Sequence, residues 1–376
     1  MLSNYKIGVK FRFSTLFSTS EICINSMFHP FEWLSLTSDE LKAKLKELGE
    51  APFRADQLLK WFCLGASPNE MTNIPKSLRE KLSDRNLGLL FYPQIVKKQQ
   101  SSLDGTVKYL FEMHDGQLIE SVVMKYEHGN TICVSTQAGC RMGCKFCAST
   151  LGGKVRDLSA GEILGQIISA QRDFGERISG VVMMGIGEPL DNYGNVMRFL
   201  EIVGSKDSLN IGYRHISLST CGLVDKIDKL ANENFPITLS ISLHACCDED
   251  RSRIMPINNA WNIDALLNAC KRYFDKTGRR ISFEYTLISG ENDSVEQANK
   301  LARLIKKYFG SRPVHINLIP LNHVDERAFS AGSKEDVKRF CDTLNSLHVN
   351  ATVRRRLGPD IDASCGQLRH KASSNK

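Results

Sequence analysis

Gln137-Ala-Gly-Cys140-Arg-Met-Gly-Cys144-Lys-Phe-Cys147-Ala148 is the stretch on which the reading of this 376-residue chain turns. Its three cysteines stand at the spacing C-x3-C-x2-C. Gly139 and Gly143 permit a tight loop through backbone angles that other residues resist. Three thiolates suit three irons of a cubane four-iron cluster and leave the fourth iron open for a ligand. Cysteine runs of this general kind hold iron–sulfur clusters. Zinc is the plainer alternative. It takes four ligands, often as two separated pairs, and no fourth Cys or His follows closely here. A chance triple is the other alternative. Spacing alone favours the cluster, and the context of the loop has to decide.

Downstream and immediately upstream of the loop, the chain repeats strand, loop, helix. Strands are predicted over 131–135, 180–184, 215–219, 237–243, 282–288 and 314–319, with helical patterns between them such as 160–174 and 294–308. That alternation is the signature of a parallel sheet with crossover helices. Six such units closing partway into a barrel give an α/β, TIM-like (βα)6 architecture. In such barrels ligands sit at the C-terminal ends of the strands. The cysteine loop follows the first strand, Gly185-Ile-Gly187-Glu188-Pro189 the second and Ser219-Thr-Cys-Gly222 the third. Ser242-Leu243-His244 ends the fourth, and Pro320-Leu-Asn322 the sixth. Polar residues therefore collect at one rim.

Before the barrel the periodicity differs. Residues 34–85 read as helices: Thr37 and Glu40 form a capping box before Leu41, Leu45 and Leu48. Residues 55–64 suggest a second helix with Leu58, Leu59 and Phe62 inward, and Pro75 opens a third with Leu78 and Leu82 on one face. Residues 94–130 read as a β-hairpin extension, with turns at Asp104-Gly105 and Asp115-Gly116. Glu120 falls in step with Leu118, Val122 and Met124. A carboxylate in that position is paired or functional, and on the residues alone a pairing with a buried Arg or Lys has the edge. The expected organisation is thus an extension over 1–26, a helical recognition domain over 27–93, the hairpin over 94–130, the barrel over 131–345 and a C-terminal segment over 346–376. The first 26 residues are acid-poor up to Glu21, as a transit peptide would be. The simpler reading makes Met27 the start and the extension disordered.

Composition narrows the class. No apolar run approaches the roughly 18 residues of a membrane span. Twelve cysteines, two of them adjacent at Cys246-Cys247, do not resemble a secreted disulfide framework and suit a reducing cytoplasm. The net charge is +7, from 49 basic and 42 acidic residues. Basic clusters at Lys97-Lys98, Arg279-Arg280, Lys306-Lys307, Arg354-Arg355-Arg356 and Arg369-His-Lys371 favour a nucleic-acid partner, although each alone reads as a solvated face. In the tail, Cys365 lies in a Gly-flanked polar stretch near these cations, a setting that favours thiolate character.

The cysteine loop and the Gly-Glu-Pro rim resemble the radical S-adenosylmethionine (SAM) superfamily. Cys133 seven residues before Cys140, Met183-Met-Gly-Ile-Gly-Glu-Pro-Leu190, Ser240-Ile-Ser-Leu-His244 and Asp362-Ala-Ser-Cys365-Gly-Gln-Leu368 narrow the match. Together they resemble the RlmN-type adenine C2 methyltransferases of ribosomal and transfer RNA, from about Phe31 to Leu368. The resemblance implies a radical SAM barrel in which Cys140, Cys144 and Cys147 ligate one [4Fe-4S] cluster. Gly187 and Glu188 would contact the methionine part of SAM, and Ser219, Ser242, Leu243, His244 and Asn322 the rest. It implies two SAM per turnover, Cys365 as methyl carrier, Cys133 as partner thiol and Glu120 as proton acceptor, which reverses the pairing preference for Glu120. It also implies 23S rRNA and tRNA as substrates, an electron donor such as flavodoxin or ferredoxin, and a cytoplasmic monomer. Adenine C2 lies between two ring nitrogens and does not attack a sulfonium methyl as an amine would, so a radical route suits it. Methylation at adenine C8, and a non-catalytic metal-containing RNA-binding module, are the competing readings.

Overall fold

The computed structural model describes residues 32–322, 329–361 and 368–369. Three helices come first: α1 (Ser38–Glu47), α2 (Arg54–Cys63) and α3 (Lys76–Ser83). Thr37 and Glu40 form the expected reciprocal capping box on α1, which satisfies two amides that a helix start otherwise leaves bare. Leu41, Leu45, Leu58, Leu59, Phe62, Leu78 and Leu82 meet around Trp33 in a small core of their own.

The hairpin strands β1 (Gln94–Gln100), β2 (Val107–Glu112) and β3 (Leu118–Tyr126) lead into β4 (Gly129–Cys133). A small antiparallel pair, β5 (Gln137–Gly139) and β6 (Lys154–Asp157), frames the cysteine loop. Then follow α4 (Ala160–Phe174), β7 (Ile178–Met183), α5 (Tyr193–Gly204), β8 (Ile216–Thr220), α6 (Val224–Leu230) and β9 (Thr238–Ser242). The chain continues through α7 (Asp248–Ile254), α8 (Ile263–Thr277), β10 (Ile281–Leu287), α9 (Val295–Phe309), β11 (Val314–Pro320), α10 (Lys334–Ser346) and β12 (Ala351–Val353).

Ten strands form one sheet in the order β1-β2-β3-β4-β7-β8-β9-β10-β11-β12. The six expected strands are present and pair in parallel. Two features differ from the sequence reading. The hairpin is no separate appendage: β3 pairs antiparallel with β4 and carries the sheet onward at its first edge. A seventh parallel strand, β12, extends the other edge by pairing with β11.

Alternation along each strand splits the sheet into two chemically different faces. Ile132, Val181, Leu218, Leu239, Ile241, Phe283, Tyr285 and Leu318 are buried in the main core, which the helices cover. The opposite face lines the lumen and is polar. Cross-strand register places Val122, Cys133, Val182, Ser217 and Thr238 in one row. Ser219, Ser240, Ser282 and His315 form the next row, and Ser242, Glu284, Asn317 and Thr352 the third.

The helical domain rests on α4 and α5. Gly161 N–H donates to Ser35 Oγ at 2.8 Å, Ser159 Oγ donates to Glu32, and Arg198 pairs with Glu40. Glu32, His114 and Glu162 lie close enough together to suit one ion. Arg156, however, already holds Glu162 through two bonds of 2.7 Å, so this cluster reads as an interdomain latch.

Candidate active site

Glycine geometry shapes the cysteine loop. Gly139 has φ +86°, and a Cβ there would stand 1.9 Å from the carbonyl oxygen of Gly153 across the β5–β6 pair. Gly143, at φ +73°, has room around it and is needed for its angle alone. Thr150 Oγ1 donates to the carbonyls of Cys144 and Cys147 at 3.1 and 3.0 Å, and Lys145 N–H donates to Ile254 O at 2.9 Å. These bonds hold the three cysteines against one cavity of about 270 Å3 at the C-terminal end of the lumen.

Six of the seven expected SAM contacts line that cavity: Gly187, Glu188, Ser219, Ser242, His244 and Asn322. Leu243 does not. Its side chain is fully buried in the main core, so only its backbone is available to a ligand. Gly187 departs from its expected reason. At φ +109°, a Cβ there would come 2.7 Å from the Gln137 side chain, so packing against the β5 segment demands the glycine before any ligand arrives. Glu188 accepts from Leu190 N at 3.0 Å and from Cys221 N at 2.8 Å. Burial above all raises its carboxyl pKa, with these bonds acting against the rise. The side chains of Thr220 and Cys221 also donate to this carboxylate, which lines the cavity.

His244 sits at φ +55° with its ring buried. Its Nδ1 accepts from Thr286 N at 2.9 Å. Burial, and secondarily Arg251, push its pKa down to about 3. The imidazole is therefore neutral with its proton on Nε2, a donor available to the cavity.

Several residues that organise this rim carry no local sequence signal. Arg251 is fully buried and donates to the carbonyls of Leu243, Ser242 and Cys221 at 3.1, 3.1 and 2.7 Å, tying the ends of β8 and β9 together. Asn292 Nδ2 donates to His244 O and Thr286 O, each at 2.8 Å. Asp191 accepts from Arg141, from Gln137 Nε2 at 2.9 Å and from Lys154 Nζ at 3.0 Å, knotting the cysteine loop to the Gly-Glu-Pro loop. Arg354, expected in a surface run for RNA, instead lines the cavity with Glu284. Arg355 and Arg356 are exposed.

Cys140, Cys144 and Cys147 line one cavity, and three cysteine sulfurs are a donor set that suits an iron–sulfur cluster. Burial, foremost, pushes the Cys140 thiol up to about 12 and raises Cys144 likewise, with neighbouring thiols and Glu188 adding to it. Bound cations reverse that preference and hold the sulfurs as thiolates.

Glu120 has the buried pairing that the residues alone favoured. It is buried at 3% exposure beside the wholly buried Lys108, whose Nζ lies 2.8 Å from Oε2. So the paired arrangement exists. Yet Glu120 also faces the lumen, and its Oε1 accepts from the backbone N–H of Arg369 at 2.5 Å. Cys133 faces the lumen one step below Glu120, packed by Val122, Met124, Val182, Met184 and Leu357. It is not among the residues lining the cofactor cavity. Cys365 lies outside the described residues. The described chain before it is clasped by the β1–β2 turn. There Gly358 N–H donates to Asp104 at 2.9 Å, and Asp360 accepts from Ser101 Oγ at 2.6 Å and Ser102 N at 2.9 Å.

A partial parallel barrel with a three-cysteine loop over a cavity at its strand ends defines a radical SAM enzyme, which carries a [4Fe-4S] cluster and uses SAM. Residues 134–305 match the model of the Radical SAM superfamily, and residues 31–87 that of the ribosomal RNA large subunit methyltransferase N-terminal domain. A curated relative from Clostridium botulinum (strain Eklund 17B / Type B), named probable dual-specificity RNA methyltransferase RlmN, is 53% identical over 337 residues, which are 89% of this chain and 95% of the relative. A protein of the same name from Clostridium perfringens (strain SM101 / Type A) is 52% identical over 348 residues, 91% of this chain and 98% of the relative. The crystal structure of a radical SAM methyltransferase from Sphaerobacter thermophilus superposes with a TM-score of 0.85 at 42% identity, covering 90% of this chain and 99% of that one. The chain belongs to the RlmN family of radical SAM methyltransferases. Family membership removes the non-catalytic RNA-binding module from consideration. No described helix is long and apolar enough to cross a membrane.

Proposed function

We propose that this enzyme methylates C2 of an adenine in 23S rRNA and in tRNA through a methyl group carried on Cys365. It would act as a cytoplasmic monomer, with electrons from a flavodoxin- or ferredoxin-type donor. RNA as substrate follows the relatives' names. The C2 chemistry rests chiefly on one observation: Glu120, inside the lumen directly above Cys133, receives the backbone N–H of Arg369, four residues beyond Cys365. A base, a thiol and the segment that carries the second thiol thus converge on one wall of the lumen.

The chain's own groups divide the work. Cys140, Cys144 and Cys147 would hold the cluster, while Gly187, Glu188, Ser219, Ser242, His244 and Asn322 would orient SAM. When bound, this pair supplies the methyl group and the one-electron chemistry of a carbon radical. Cys365 carries the methyl carbon as a thioether. That carbon would lose one hydrogen atom to this radical chemistry and become joined to adenine C2, and the one electron in excess would return to the bound cluster as the C2 proton leaves. Glu120 accepts the proton leaving C2. The Cys133 thiolate then attacks the Cys365 sulfur, a disulfide forms, the carbon–sulfur bond breaks, and the released base takes up a proton at its new methyl. An external reductant restores both thiols. The target adenine must leave its stack to reach the rim, which a loop nucleotide does at least cost.

Anaerobic turnover with SAM, a low-potential reductant and either RNA, followed by nucleoside digestion and mass spectrometry against synthetic standards, tests the proposal. 2-Methyladenosine is the expected product. 8-Methyladenosine would replace this reading with its sister activity, and unmodified RNA alongside active SAM cleavage would contradict both.

A further inference from the structure

The lumen has a second mouth, at the N-terminal ends of the strands, where a cavity of about 290 Å3 opens away from the cysteine loop. Lumen-facing residues of the lowest rows make its wall. Thr131 pairs with Gly180, and Ser217 pairs with Thr238 one row further in. Gly180 leaves a gap in that lowest row: a Cβ there would stand 2.7 Å from Thr131 Oγ1. The rim carries His128, Arg214 and His215, all exposed, and the His128 ring stacks on Tyr126 with centroids 5.2 Å apart. Among the described residues, neither a carboxylate nor a carboxamide lines the cavity.

The cationic rim extends past the cavity. Arg280 immediately precedes Ile281, which pairs with Leu239, so it stands level with Thr238 and in step with the lumen-facing Ser282. Burial, and secondarily the charge of Arg280, lower the pKa of His315 inside the lumen. Arg214 and Arg280 have no ion pair among the described residues. Two acids near this rim are already engaged, Glu176 by Lys125 at 2.7 Å and Asp275 by Arg312 at 3.0 Å. Glu127, exposed in the β3–β4 turn, is not. The mouth therefore keeps a surplus of positive charge, which raises the local concentration of anions.

Guanidinium and hydroxyl groups of this kind contact phosphate oxygens, which positions a nucleic acid without reading its sequence. Base edges are read largely by carboxamides and carboxylates, and the cavity has neither. Arg214 and Arg280 stand before β8 and β10, two strand spacings or roughly 10 Å apart, a separation that suits a chain of phosphates better than one small anion. We propose that this mouth grips the phosphate backbone of the substrate RNA at nucleotides remote from the target adenine. The inference rests on RNA being the substrate and holds whichever adenine carbon is methylated. The two ends of the lumen lie one strand apart, roughly 17 Å, so an RNA whose target adenine enters at the cysteine end brings a different segment to this one. Contact with phosphate alone also suits two substrate RNAs of unlike sequence.

Binding of a fluorescent tRNA transcript to the holoenzyme, followed by anisotropy across a salt titration, tests the site. Arg214→Ala and Arg280→Ala are each expected to weaken low-salt affinity by about fivefold and to flatten the slope of log K against log salt by about 0.7–0.9. Arg214→Lys keeps the charge and should keep the slope. The double replacement Lys306→Ala and Lys307→Ala, exposed on α9, should leave both quantities unchanged. An equal loss there would mark a diffuse charge effect and overturn the site. A native slope in the combined Arg214→Ala and Arg280→Ala variant overturns the inference while RNA remains the substrate. No RNA binding by the native enzyme overturns the substrate reading, and this inference with it. Inorganic phosphate alone, titrated by calorimetry, is expected to bind no more tightly than millimolar. Submillimolar binding that Arg214→Ala abolishes, with the RNA slope unchanged, would assign the mouth to a free anion instead.

Discussion

His244 illustrates how a single buried side chain couples the cofactor rim to stability. Its pKa is held near 3 by burial against an ordinary value of 6.5. In the unfolded chain it binds a proton below about pH 6.5, whereas in the native chain it stays neutral. The unfolded state therefore takes up more protons as pH falls through this window, and stability falls with it. The contribution is whole above about pH 6.5 and is lost toward pH 3, at up to about 1.4 kcal/mol per pH unit. His244→Asn is expected to flatten this dependence. Asn tolerates the left-handed angle at this position, and its Oδ1 can replace Nδ1 as acceptor for Thr286. Urea unfolding of both proteins between pH 7 and pH 4 checks the expectation, and parallel curves would contradict it.

Arg251, Asn292 and Lys108 mark the limit of legibility at the residue scale. Each was invisible because full burial of a polar group is a tertiary fact. Lys108 came closest to discovery: the Asp115-Gly116 turn fixes the hairpin register and brings position 108 opposite Val122, one lumen step from Glu120. Gly187 was found for an incomplete reason, since only the fold reveals Gln137 pressed against it.

Among the elements, the β5–β6 pair that frames the cysteines has the narrowest tolerance. Gly139→Ala should force the pair apart, because the new methyl would meet a backbone carbonyl that has no side-chain freedom to yield. Gly152, in the same loop, has nothing within 4 Å of a Cβ. After anaerobic reconstitution, Gly139→Ala is expected to retain well under half of the iron that Gly152→Ala binds, as measured by iron analysis and Mössbauer spectroscopy. Equal four-iron occupancy in both would show that the loop does not depend on this close approach. A stoichiometric zinc in the native protein would contradict the cluster assignment.

The six barrel strands were legible because each is an apolar run bounded by turn residues, and the observed bounds fall within three residues of the expected ones. Thr37, Glu40 and Pro75 placed the helical starts for equally local reasons. β12 escaped notice because three residues at a sheet edge carry too little pattern. The continuity of the hairpin with the barrel was likewise hidden, since β3–β4 pairing is a choice of neighbour that local sequence does not specify.

For the whole molecule, the central claim is a division of labour between two cysteines outside the cluster. Cys133 faces the polar lumen, and the described chain on either side of Cys365 is anchored by the clasp of the β1–β2 turn on Gly358 and Asp360 and by the return of Arg369 to Glu120. If both thiols were mere packing residues, replacing them with alanine would cost roughly 1 kcal/mol or more of stability and leave no chemical trace. The proposed roles demand an asymmetric trace. The most direct measurement is to express Cys133→Ala and Cys365→Ala with intact clusters, digest the co-purifying RNA and search for a nucleotide-bearing peptide by mass spectrometry. Cys133→Ala is expected to carry a covalent RNA adduct on the peptide containing Cys365, whereas Cys365→Ala carries none. An adduct in Cys365→Ala, or none in either variant despite active SAM cleavage, would contradict the account.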